Sequence, residues 1–191
     1  MTLLYIGIVL FAVTHLFSML LPAMRNRLSA RLGQNAFKGI YALSSLAGIV
    51  FIGIGYWQAR TGAPAGVSYY EPAVAARHIT LSLVLIGFIL IASNGGKGYI
   101  RKWVRHPFSI GIGLWAVGHL LANGEVYVVP IFAMFLGLSL LDIVLGFARG
   151  GAPHFEPQGK RDLIAVIAGL IAFGLFGFLF HPYVLGQPVL K

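Results

Sequence analysis

Residues 3–21 contain no Asp, Glu, Lys or Arg. A run of about 20 apolar residues is what a helix needs to cross the hydrocarbon core of a bilayer. In lipid only a helix or a closed barrel satisfies its own backbone hydrogen bonds, so such a run restricts the fold severely. The feature recurs at residues 39–58, 79–92, 108–122, 126–147 and 163–180, with the third and fourth of the six segments short. Charged residues make up only 10% of the 191, against roughly 25% in an average soluble domain. The expectation is an all-α, polytopic membrane helical bundle of about six transmembrane helices, forming a single integral membrane domain over residues 1–191. No basic segment precedes the first apolar run, which reads as a retained span rather than a cleaved signal. The 25 glycines suit helices that approach closely in lipid, where small residues replace bulky ones at the contact.

Basic residues orient the bundle. The connections after spans one, three and five carry Arg25, Arg27, Arg31, Lys38, Lys97, Arg101, Lys102, Arg105, Arg149, Lys160 and Arg161, whereas the other side receives only Arg60, Arg77 and Lys191. By the positive-inside rule the first set faces the cytoplasm, which puts both termini on the periplasmic side of a bacterial inner membrane. The net charge of +9 is then explained by basic loops beside anionic lipid, and no soluble basic module is present to bind nucleic acid. The chain has no cysteine, which excludes disulfides, thiolate ligands and thiol redox chemistry. Residues 59–76 read as an outer connection, a plain linker rather than a lid in the first instance. Residues 148–160, with Gly150, Gly151, Pro153, Pro157 and Gly159, read as a flexible cytoplasmic loop.

Two strings echo each other: AVTHL at 12–16 in span one and AVGHL at 116–120 in span four. Those spans are equivalent in a three-plus-three arrangement. With three spans per half, the repeat would be inverted about an axis in the membrane plane.

Depth separates the six histidines. His78 and His181 lie at outer ends of spans, His106 at the cytoplasmic mouth of span four, and His154 in a loop. His15 lies about 18 Å along the first helix and His119 twelve residues beyond Pro107, so both fall near the bilayer midplane. An ionisable side chain there calls for a functional or structural reason. One reason is a neutral imidazole hydrogen-bonded to a neighbouring hydroxyl or carbonyl, with Ser18 a partner for His15. The other is ligation. Zinc would lack further ligands, but haem iron needs only axial side chains, so two histidines suffice for a bis-histidine haem b site. One turn back, each histidine has an aromatic and a small residue: Phe11 and Ala12 for His15, Trp115 and Ala116 for His119. The aromatic would pack on the ring and the small residue would leave room. Asp142, late in span five, is expected to pair with Lys38, Lys102 or Arg105, and Glu125 to be solvated at an outer turn.

The block RHPFSIGIGLWAVGHLLANGE at 105–125, with the early VTHLFSMLLP and the late KRDLIAVIAGLIAFGLFGFLFHPYVLG, resembles the NnrU family of bacterial membrane proteins nearly end to end. That family is related to 15-cis-zeta-carotene isomerase, a membrane haem b enzyme. The resemblance implies haem b as cofactor and His15 and His119 as iron ligands, with His106 matching the isomerase's RHP histidine. It further implies a link to nitric oxide or denitrification. Ala116 stands where the isomerase has a cysteine, so thiolate ligation and any chemistry that depends on it do not carry over. Arg105 and His106 are expected to hold a haem propionate, because arginine pairs bidentately with carboxylate.

The expected function is therefore an integral membrane haem b protein in nitric oxide-linked or isomerase-like redox chemistry, acting on nitric oxide or a hydrophobic small molecule. The alternative is a cofactor-free assembly or transport factor. A methyltransferase of the isoprenylcysteine type shares the RHP string, but its acidic C-terminal signature is missing from ARGGAPHFEPQGKRD.

Overall fold

The computed structural model describes residues 1–150, 154–187 and 189. Gly151, Pro153 and Lys191, which entered the loop and orientation readings, lie outside them. Among the described residues eight α-helices run in order: α1 (Thr2–Leu20), α2 (Pro22–Leu32), α3 (Gln34–Thr61), α4 (Ala76–Ser93), α5 (Tyr99–Val104), α6 (Pro107–Ala122), α7 (Val129–Ala148) and α8 (Gly159–Gly174). The last runs directly into a π-helical segment, Leu175–Val184, which contains Pro182. Among the described residues there is no strand, only an isolated bridge between Ser68 and Glu125. Among the described residues five helical stretches are long and apolar enough to span a bilayer: α1, α3, α4, α7 and the continuous Gly159–Val184. The all-α polytopic expectation holds. The third segment is longer than its sequence suggested, at 18 residues. The fourth, α6, stays short at 16 residues, or about 24 Å.

The chain divides into two compact units. The first comprises residues 1–72 and 123–138, and the second residues 73–122 and 139–191, so α7 begins in one and ends in the other.

In the first unit α1 packs along α3 on a glycine seam. A Cβ at Gly7 would lie 2.6 Å from Ile52 N, and one at Gly55 would lie 2.5 Å from Leu4 Cα, so neither position tolerates a side chain. The seam feeds a core of Leu4, Phe11, Ile52, Tyr127, Ile131 and Leu138. The 59–76 connection is shorter and more tightly held than a linker. Helix α3 extends to Thr61, and the chain then pairs with the segment after α6. Tyr69 N donates to Gly124 O at 2.8 Å, Val126 N to Val67 O at 3.0 Å, and the Tyr70 hydroxyl to Asn123 O at 2.8 Å. Burial and then the Glu125 carboxylate raise the Tyr70 phenol above its ordinary range. Glu125 is not simply solvated, since its Oε2 is buried without a hydrogen-bond partner.

In the second unit α4 is flanked by α6 and α8, each meeting it through glycine. A Cβ at Gly111 of α6 would lie 2.6 Å from Gly87 O, and one at Gly169 of α8 would lie 2.7 Å from Ile89 Cα. Thr80 Oγ1 bonds across to Gly118 O at 2.8 Å. The short helix α5 is capped from a distance: Asp162, in the first turn of α8, accepts Tyr99 N at 2.8 Å and Ile100 N at 3.0 Å. These are two of the N–H groups that every helix start leaves unpaired.

Candidate functional site

The RHP string forms a strained corner. Arg105 has φ 64 and ψ −48, the one non-glycine residue with positive φ among those described. His106 N bonds back to Val104 O at 2.7 Å, closing a three-residue turn of the rare positive-φ kind. Such a conformation costs on the order of 1–3 kcal/mol and persists only where the surroundings hold it. Here Pro107 anchors the exit from the corner: it opens α6, where a missing N–H does no harm, and it is fully buried. The corner sends both side chains onto α7. The Arg105 guanidinium lies 5.4 Å above the Phe147 ring, and the His106 ring meets Phe147 edge-on at 4.8 Å. His106 also occupies the space where a side chain at Gly146 would be, because a Cβ there would come within 2.9 Å of its Nδ1.

Deeper along the same α6–α7 seam, Ser109 Oγ donates to Asp142 Oδ2, and Ser139 Oγ donates to the Ser109 carbonyl. Asp142 is thus held by a hydroxyl; of the three partners expected from sequence, Lys102 and Arg105 do not bond it and Lys38 belongs to the other unit. The arginine is turned away onto Phe147, while Ser109 and Ser139 are buried beside the carboxylate.

His15 and His119 repeat one local design. Each ring bonds through Nδ1, at 2.8 Å, to the backbone carbonyl of the aromatic residue one turn earlier: Phe11 for His15 and Trp115 for His119. A carbonyl only accepts, so Nδ1 carries a proton and is the donor in each bond. In each case the aromatic ring also packs on the imidazole. Phe11 stacks on His15 with centroids 4.0 Å apart, and Trp115 tilts against His119 at 5.0 Å. Ser18 is therefore not the partner of His15. Its Oγ is turned towards the Tyr41 hydroxyl without reaching hydrogen-bond geometry, and it is buried, as is Ser45 Oγ one turn beyond Tyr41. Tyr41 meets the His15 ring edge-on at 5.4 Å. The expected gap beside Ala116 does not exist, for Ala116 is fully packed.

The structure adds a histidine that depth alone sets aside. His181, on the π-helical segment, lies with its ring 6.0 Å from that of His119 and bonds through Nδ1 to Phe176 O at 2.7 Å. Phe176 in turn stacks on Phe88 of α4 at 5.5 Å. The only sequence signal is the HPY string at the end of an apolar run, and it does not reveal which way a π-helix turns its side chains. His15 belongs to the first unit, whereas His119, His181, Trp115, Arg105 and His106 belong to the second. No group of three or more His, Cys, Asp or Glu able to hold a metal ion occurs among the described residues. His15, His119 and His181 each bond through Nδ1 to a backbone carbonyl of their own helical segment.

These features define a polytopic α-helical membrane protein with tautomer-fixed imidazoles inside its apolar helices. The family described as NnrU protein matches residues 3–189, nearly the whole chain, and the protein belongs to that family. No curated protein and no solved structure matches it.

Proposed function

We propose that this NnrU-family protein binds haem b through His15 and His119, as a component of nitric oxide- or denitrification-linked, or isomerase-like, redox chemistry in the bacterial inner membrane. One observation carries the reading: two histidines on different helices share the same Nδ1-to-carbonyl bond and the same aromatic buttress. The backbone bond also makes Nε2 a better donor to a metal. Bound haem would supply an iron centre for electron transfer or for a ligand such as nitric oxide. Phe11 and Trp115 hold the ring planes, and the buried Ser18 and Ser45 hydroxyls offer hydrogen bonds beside His15. Arg105, fixed on α7 by the strained corner with His106 beside it, offers its guanidinium to a propionate.

A second reading rests on the 6.0 Å between the His119 and His181 rings, which gives the second unit an imidazole pair of its own. Under it His181, not His15, would share the iron with His119. The test is a pyridine haemochrome assay on detergent-purified protein expressed with ample haem. A b-type spectrum supports both readings. Spectra of His15→Ala and His181→Ala then choose between them, the true ligand being the one whose loss alters coordination. A colourless protein would leave the cofactor-free assembly or transport role.

A further inference from the structure

Helix α2 occupies what reads in sequence as a basic loop. It is an 11-residue helix with no buried residue, placed between two spanning helices. Leu21 (φ −119, ψ 54) breaks it from α1, and Gly33, at φ 83, breaks it from α3. Both neighbours of α2 are candidate spans, so its two ends are tied to one face of the membrane. Its faces are sorted. At 100° per residue Met24, Leu28 and Leu32 fall within an arc of about 80°. They are 56%, 39% and 45% exposed, high values for large apolar side chains. Arg25 borders that arc on one side and Arg31 on the other, with Arg27 next to Arg31. The helix contains no acidic residue, and Arg25 Nη1 makes only a long 3.5 Å contact with Asn26 Oδ1.

We propose that α2 is a docking surface for anionic phospholipid. Its Met–Leu stripe enters the acyl boundary, and Arg25, Arg27 and Arg31 spread to either side to hold headgroup phosphates. An apolar stripe bordered by cations is the arrangement that places a helix in the plane of the interface. The guanidinium fork matches a phosphate geometrically, and its aliphatic stem covers the apolar border while the charge reaches the headgroup. A second copy of the chain is a poorer occupant, because two such faces would bring six arginines together with no carboxylate between them.

The test uses the full chain in phosphatidylcholine nanodiscs containing or lacking phosphatidylglycerol. Native mass spectrometry reads which lipid stays bound. A bimane label on Leu28→Cys, the sole thiol in a cysteine-free chain, reads depth through brominated lipid. The wild type is expected to retain phosphatidylglycerol preferentially and the label to be quenched. Replacing Arg25, Arg27 and Arg31 by Gln together should remove the preference, at roughly fivefold in affinity per arginine. The triple Lys variant keeps the charge and should keep most of the preference, which guards against a folding defect. Equal retention of both lipids by the wild type, an unchanged preference in the Gln variant, or an unquenched label would each overturn the proposal. So would dimerisation that depends on Met24, Leu28 and Leu32.

Discussion

Consider Gly55→Ala on the α1–α3 seam. The new methyl would lie 2.5 Å from Leu4 Cα and 2.8 Å from Leu4 Cβ. Carbon atoms pack at about 3.5–4.0 Å, so the helices must part by on the order of 1 Å. Backbone atoms cannot rotate away as a side-chain tip can, and Leu4 is fully buried with no slack around it. Overpacking of this kind costs about 1–3 kcal/mol, partly offset by the roughly 1 kcal/mol by which Ala favours a helix over Gly. The net expectation is a loss of up to about 2 kcal/mol. Gly53 provides the control. It lies two residues away on the same helix, but a Cβ there meets nothing within 4 Å, so Gly53→Ala should be neutral or mildly stabilising. Reversible unfolding in mixed micelles with increasing SDS, followed by circular dichroism, measures both. A Gly55→Ala protein as stable as Gly53→Ala would refute a seam set by backbone contact.

Other substitutions probe other contacts. Asp162→Ala removes the acceptor for Tyr99 N and Ile100 N, and should cost about 1 kcal/mol and speed hydrogen exchange at those two amides, with Asp162→Asn intermediate. Unchanged exchange would mean that α5 does not depend on this cap. Gly146→Ala should expel the His106 ring from α7, seen as a shifted His106 resonance in a selectively labelled sample, whereas Gly137→Ala, with open space at its Cβ, should leave it in place. Single cysteines at Gly33 and Ser68 should label from opposite sides of the membrane, and labelling from the same side would sink the six-span orientation.

The range of the forces involved decides which features are legible in the sequence. The spans are legible because hydrophobicity is a property of a local window, and residues 3–21 and 126–147 correspond closely to Thr2–Leu20 and Val129–Ala148. His15 and His119 stand out for the same reason, as polar groups in apolar windows. Helix α2 hides inside an apparent basic loop, since three arginines obscure its Met–Leu stripe. The bond from Ser109 to Asp142 spans 33 residues, and the Asp162 cap spans more than 60, so neither leaves a local mark. A cation is the natural expectation for Asp142 because Coulomb attraction is the stronger generic force. The Arg105 corner directs that cation to Phe147 instead. The approach of His181 to His119 depends on a π-helical turn, and spacing rules for α-helices place that ring elsewhere.

The most direct measurement is the optical spectrum of the purified protein and four single variants, loaded with haem under identical conditions. With His15 and His119 as axial ligands, the wild type should show a six-coordinate, low-spin b-type spectrum. His15→Ala and His119→Ala should each lose haem or turn five-coordinate, while His78→Ala and His154→Ala match the wild type. A wild type that binds no haem, or core variants that keep the wild-type spectrum, would contradict haem ligation by this pair.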